Sequence, residues 1–230
     1  MGDDIILYGY WRSSAAYRVR ICLNLKQLAY DSVSVHLVRN GGEQHNEQYH
    51  DLNASELVPV LVDGDLRLNQ SLAIIQYLEE NYPDVSVIPE QTPLRYQALA
   101  MAQDIAMEIH PLNNLRVLQY LEGTLSCEQA QKEEWIHHWI KQGFAALEEK
   151  LAKYREEHGN CKYSVTDSPC IVDICLVPQV YNAQRFGVDM SPYPVINAIV
   201  DACNQLPTFI DAMPDNQPDN QPDNQPDANA

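Results

Sequence analysis

Residues 5–26, IILYGYWRSSAAYRVRICLNLK, decide how the chain begins to fold. Ile5 to Gly9 form a short apolar run, the mark of a buried strand. Tyr10 to Ser14 read as a turn. Over 15–27, Ala16, Val19, Cys22 and Leu23 recur at helical spacing, with Arg18 and Lys26 off that face. A strand that turns directly into a helix opens an α/β unit.

The pattern continues outward from that start. Residues 30–37, YDSVSVHL, alternate as a half-buried strand does, and Asn40-Gly41-Gly42 is a turn signal. Residues 44–52 are polar and weakly helical. Residues 57–69, LVPVLVDGDLRLN, read as two short strands around a hairpin turn at Asp63-Gly64-Asp65. Residues 71–82, SLAIIQYLEENY, form an amphipathic helix with Ser71 as its cap. The order β-α-β-α-β-β-α describes a small α/β domain over 1–83. Residues 84–93 read as a linker, in a proline-rich stretch with no helical period. From 94 to 212 every strong signal is helical, with long helices over 94–121 and 127–157 and shorter ones over 171–186 and 192–205. This second domain is all-α. Residues 213–230 carry a Pro-Asp-Asn-Gln repeat with almost no apolar residues, a composition expected to stay disordered.

Composition narrows the function classes. Formal net charge is −17, and Asp215, Asp219, Asp223 and Asp227 of the repeat contribute to it. So acidic a chain disfavours nucleic acid and anionic membranes as partners. An anionic ligand needs local arginines and helix N-termini. No apolar stretch is long enough to span a membrane. The opening MGDDIILYGY lacks the basic region of a signal peptide, so a cytoplasmic protein is expected. The six cysteines form no C-x-x-C pair and read as reduced thiols. His137 and His138 are adjacent and so point apart on a helix, and no metal site is expected.

Two places carry chemistry. Ser13 and Ser14 open the first helix. Serines there are ordinary caps. The same geometry lets a hydroxyl beside exposed N–H groups donate to a thiolate and lower a thiol's pKa. The second place is Val58-Pro59 followed by Gln70-Ser71. A cis Val–Pro bond would leave backbone available to an extended peptide ligand, and a helix opening at Ser71 would hold that ligand's carboxylate.

At these residues the chain resembles a known family. RSSAAYRVRICLNLK is similar to the R-S-S-C-x-x-R-V-R-I-x-L signature of zeta-class glutathione transferases, a class that includes maleylacetoacetate isomerase. The resemblance runs on through NGGEQ, LNASELVPVL, NQSLAIIQYLEENYP, IHPLNNLRVL and CLVPQVYNAQRFGVDMSPYP, covering roughly 5–212.

It implies a thioredoxin-like domain followed by a helical one, with glutathione as cofactor and a homodimer as the assembly. It also implies a small dicarboxylate as substrate, within tyrosine and phenylalanine catabolism. Ser13 would activate the glutathione sulfur, with Ser14 and Ala15 beside it. Gln44 would meet the glycyl end. Val58 would pair with the cysteinyl unit, with Pro59 cis. Gln70 and Ser71 would bind the γ-glutamyl carboxylate. His110, Asn114, Leu115 and Arg116 would border the site. Arg12, Arg116 and Arg185 would grip substrate carboxylates.

Two positions depart from the pattern. Ala15 stands where the family has cysteine; since glutathione supplies the reacting sulfur, activity is expected to survive. Cys170 stands where relatives place a hydroxyl cap facing Asp173, so a softer cap is expected. Three alternatives remain: isomerisation of maleylpyruvate, transfer or dehalogenation of small α-halo acids, and a non-catalytic binding module of the same fold.

Overall fold

The computed structural model describes residues 5–220 and divides into two compact units. The first holds the chain up to Val87 together with the segment from Pro207 onward; the second is Ile88–Leu206. The division at Val87 falls inside the linker expected over 84–93, and the segment from Pro207, expected with the helical domain up to 212, lies with the first unit.

In the first unit, β1 (Ile5–Gly9) leads into α1 (Ser14–Leu25), β2 (Tyr30–Ser34), α2 (Glu47–Leu52), β3 (Val60–Asp63), β4 (Leu66–Asn69) and α3 (Ser71–Asn81). The sheet order is β2-β1-β3-β4, with β1 parallel to β2 and antiparallel to β3, and β3 antiparallel to β4. β2 is shorter than the alternation over 30–37 suggests. It is an edge strand whose residues are mostly exposed, and the chain turns inward only at Val35 and His36.

The apolar face assigned to α1 understates its burial. Arg18, Arg20 and Lys26 are buried along with the expected apolar residues. Each places its charge on partners inside the protein. The Lys26 ammonium sits 2.9 Å from Glu79 and donates to the carbonyls of Tyr82 and Val85. Arg18 donates to Ser71 Oγ at 3.4 Å. A cation leaves water only where such acceptors replace it. Helical periodicity registers apolar residues alone, so it leaves these three outside.

The second unit is built from α4 (Leu94–Gln103), α5 (Leu115–Gly123), α6 (Gln129–His158), α7 (Ile171–Arg185) and α8 (Pro194–Cys203). The single helix read over 94–121 is broken. α4 passes into a π-helical segment, Asp104–Ile109, and then a 3-10 turn, His110–Asn113, before Asn114 takes an extended conformation and restarts the chain as α5. Pro111 withholds an N–H, and the Asn114 side chain accepts the Arg116 N–H, so a new helix starts there. α6 packs tightly over this break: a Cβ added at Gly143 would collide with the Ile109 side chain. Glu148 of α6 receives the first N–H groups of α8, from Val195 at 2.7 Å and Ile196 at 2.9 Å. At the start of α7 the expected cap forms. The Cys170 thiol accepts from the third turn position while Asp173 accepts the Cys170 N–H at 2.8 Å.

α9 (Pro207–Ile210) returns to the first unit and packs on α1. Beyond it the structure departs from the expected disorder. Pro214–Asn216 form a 3-10 turn. Asn216 donates to the Ile210 carbonyl, and Gln217 to those of Asp211 and Met213. Amide side chains thus cap a helix end, a source of order that composition does not register. Residues 221–230, with Asp223 and Asp227, lie outside the described residues, as do residues 1–4.

Candidate active site

Strand register gathers the chemistry-bearing segments of the first unit at one end of the sheet. Tyr8 pairs with Val60, and Val60 with Asn69. Immediately beyond that row lie the turn from Tyr10 to Ser14, the Val58-Pro59 segment, and Gln70-Ser71. β2 ends beside them, with Gly9 paired to Ser34. The carboxyl ends of parallel strands are where open α/β sheets bind ligands.

Ser13 is the N-cap of α1, and its Oγ accepts the Ala16 N–H at 3.2 Å. A hydroxyl that accepts from its own helix keeps its proton to donate outward, so capping and thiol activation are compatible at one oxygen. Ser14 is buried as the first helical residue, followed by Ala15. Arg12 extends from the same turn, its guanidinium carbon 5.2 Å from the Trp11 ring centre and 6.0 Å from that of Tyr10.

The Val58–Pro59 peptide is cis. Among the described residues Val58 makes no backbone–backbone hydrogen bond, so its peptide groups are open to an extended partner. The carbonyl before it is fixed from two sides: Leu57 O accepts from Tyr49 Oη and from Asn53 Nδ2, each at 2.8 Å. Burial pushes the Tyr49 hydroxyl pKa up, which keeps it a donor. Asn53 Oδ1 in turn accepts Asn69 Nδ2 at 3.0 Å. Buried Asn53 therefore ties Val58-Pro59 to the strand that delivers Gln70.

Ser71 is not the cap expected of it. Gln70 occupies that position, with φ 71°, and Ser71 is the first helical residue, buried, with Arg18 donating to its oxygen. The left-handed backbone at Gln70 turns its exposed side chain out beside the helix N-terminus. Gln44 is buried and donates to Leu37 O, while among the described residues its Oε1 has no partner. An orphaned buried acceptor, an unpaired peptide and a helix N-terminus match the donors and acceptors of an extended, carboxylate-bearing peptide. The residues present therefore fit glutathione.

The other expected site residues belong to the second unit. His110 opens the 3-10 turn, Asn114, Leu115 and Arg116 begin α5, and Arg185 ends α7 with its guanidinium carbon 4.2 Å from the Phe186 ring centre. Arg116 and Arg185 are exposed. Sequence reasoning missed four residues. Arg18, Tyr49 and Asn53 act by bonding to site segments. Asn113 is buried with both amide atoms unpartnered among the described residues. The doubled asparagine within HPLNN is the one signal that pointed to it.

Comparison with known proteins finds relatives over nearly the whole chain. Residues 7–86 match the family model for the glutathione S-transferase N-terminal domain. A probable maleylacetoacetate isomerase of Vibrio cholerae is 57% identical, covering 93% of this chain and 97% of that protein. The holo structure of a bacterial maleylpyruvate isomerase, described as a zeta-class glutathione S-transferase, superposes with a TM-score of 0.89 at 41% identity, over 93% of this chain and 99% of that one. A maleylacetoacetate isomerase from Methylobacterium extorquens AM1, solved with malonate and glutathione, gives 0.88 at 35% identity, over 93% and 98%.

Proposed function

The chain belongs to the zeta class of the glutathione S-transferase family, and from that membership we propose that it isomerises maleylacetoacetate to fumarylacetoacetate with glutathione as its cofactor. The observation that carries the proposal is the row Tyr8–Val60–Asn69, beyond which a helix-capping serine, an unpaired peptide and a helix N-terminus stand together. When bound, glutathione supplies a thiol whose reversible addition to a conjugated cis double bond permits rotation about it.

The chain's own residues do the rest. Ser13 donates its hydroxyl proton toward the sulfur, and the N-terminus of α1 favours negative charge at the same place. Both effects hold the thiol ionised. Val58 offers its peptide to the cysteinyl unit. Gln70, Ser71 and the start of α3 receive the γ-glutamyl carboxylate, with Arg18 behind Ser71 adding positive potential. Gln44 Oε1 accepts from the glycyl end.

Arg12, Arg116 and Arg185 are the cations assigned to the substrate's two carboxylates, where a planar guanidinium binds in bidentate fashion. Their charge also stabilises the negative charge that builds up on the carbonyl oxygen. Ala15 contributes no functional group to this chemistry. His110, Asn114 and Leu115 are assigned to the border of the site.

Tyrosine and phenylalanine catabolism, a cytoplasmic location and a two-fold homodimer complete the proposal and rest on class membership. Among the described residues no helix is long and apolar enough to cross a membrane.

The test is a side-by-side isomerisation assay. Turnover of maleylacetoacetate well above that of maleylpyruvate, lost when glutathione is omitted, is the expected result. Preference for maleylpyruvate would transfer the same chemistry to the other substrate. Turnover of neither would overturn the proposal.

A further inference from the structure

We infer that Asp219, in the second Pro-Asp-Asn-Gln repeat, is a positioning residue for the turn that carries Arg12 and Ser13. The catalytic consequence rests on the isomerase reading. The contacts do not.

Trp11, the residue before Arg12, has both of its backbone polar groups tied down. Asp219 Oδ2 accepts its N–H at 3.2 Å, and its carbonyl accepts from Arg20 Nη2 at 2.9 Å. Both ties lead to the C-terminal segment. Arg20 is buried and donates its Nε–H to the carbonyl of Ala212 at 3.0 Å. Asp219 is itself anchored, because its Oδ2 also accepts from Ser34 Oγ at 2.8 Å at the end of β2. One carboxylate oxygen thus joins the turn after β1 to the end of the neighbouring strand. The Trp11 ring carries the Arg12 guanidinium. A shift of the Trp11 peptide therefore moves Arg12, and through it the Ser13 cap.

The repeat is built to deliver this contact. Asn216 and Gln217 bind the carbonyls that end α9, which fixes the path of the chain up to Asp219. A carboxylate next to an anion-binding turn is otherwise unfavourable, since like charges oppose thiolate formation. Two donors on a single oxygen offset that cost.

The experiment uses three changes in the full chain: Asp219→Ala, Asp219→Asn, and a deletion of residues 221–230 that leaves Asp219 in place. Asp219→Ala should lower kcat/KM for the cis dicarboxylate about fivefold, with KM for glutathione altered less than about twofold, because loss of alignment acts on the reaction more than on cofactor binding. Asp219→Asn keeps an acceptor oxygen and should recover most of the activity, and the deletion should match the unaltered chain. Amide hydrogen exchange at Trp11, measured without any ligand, should accelerate in Asp219→Ala. Unchanged kinetics in Asp219→Ala, or equal damage from Asp219→Asn, would overturn the inference. An unaltered chain that isomerises nothing would instead overturn the functional reading, and Trp11 exchange would still decide whether Asp219 holds the turn.

Discussion

The proposed role of Ser13 adds a thiol-directed donor to the cap its oxygen already forms, and that makes it testable. Its Oγ is occupied by the Ala16 N–H, so removing it costs a cap and a donor together. A hydrogen bond to a charged group contributes about 1.5–3 kcal/mol, so Ser13→Ala should lower kcat/KM by about tenfold to a hundredfold. The two losses separate by pH. The thiolate loses a donor, so its pKa rises and the rate profile shifts to higher pH, whereas loss of a cap alone would leave the profile in place. The helix opening at Ser13 and the cis Val58–Pro59 peptide were legible at this scale. Arg18 and Asn53 were not, because their part depends on Ser71, Leu57 and Asn69, which only the fold brings to them. Glu56 is a second residue that only the fold explains. His45 and His50 both contact its carboxylate, at 2.6 and 2.9 Å, and hydrogen bonds from the two rings hold its pKa below the ordinary 4.5. A lowered carboxylate pKa contributes stability above the ordinary value, and this is lost as pH falls through the folded one. The melting temperatures of the unaltered chain and Glu56→Gln should therefore differ at pH about 7 and draw together as the pH is taken below the ordinary carboxylate range.

Helix starts and breaks decide more than helix content does at the next scale. Cys170 closes a capping box with a sulfur, a weak acceptor, against an Asp173 that is fully buried and also accepts Ser164 Oγ at 2.7 Å. An oxygen cap is worth about 1 kcal/mol more than a poor one, so Cys170→Thr should raise the melting temperature by about 2 °C in a chain this size. No rise would show that the thiol caps as well as a hydroxyl does. Gly143 presents the opposite case, an absent side chain that is needed. Gly143→Ala would drive a methyl into Ile109 where α6 crosses the π-helical segment, and urea unfolding should register a loss of about 1–3 kcal/mol. Ile109→Val should recover part of it in the double variant. The helix read over 94–121 was right in type and wrong in continuity. Periodicity averages over a window and passes across Pro111 and Asn114, whereas the chain must satisfy backbone groups one at a time.

Across the molecule, two features ran against the simplest reading of composition. On an acidic chain, the proposed reading assigns anion binding to a few arginines and two helix N-termini rather than to net charge. A polar repeat with almost no apolar residues is partly ordered, because its amides and one carboxylate meet unsatisfied backbone groups. Division into an α/β unit and a helical unit was legible from strand and helix periods. Assignment of the segment from Pro207 to the first unit was not, since sequence order carries no information on which core a short helix joins.

In the proposed reaction glutathione is a cofactor and not a consumed substrate. The direct measurement follows free thiol while maleylacetoacetate is converted at limiting glutathione. Many turnovers per glutathione, with the thiol concentration unchanged and fumarylacetoacetate as product, is the predicted result. Thiol that disappears in step with substrate would mean conjugation, and would contradict the isomerase assignment.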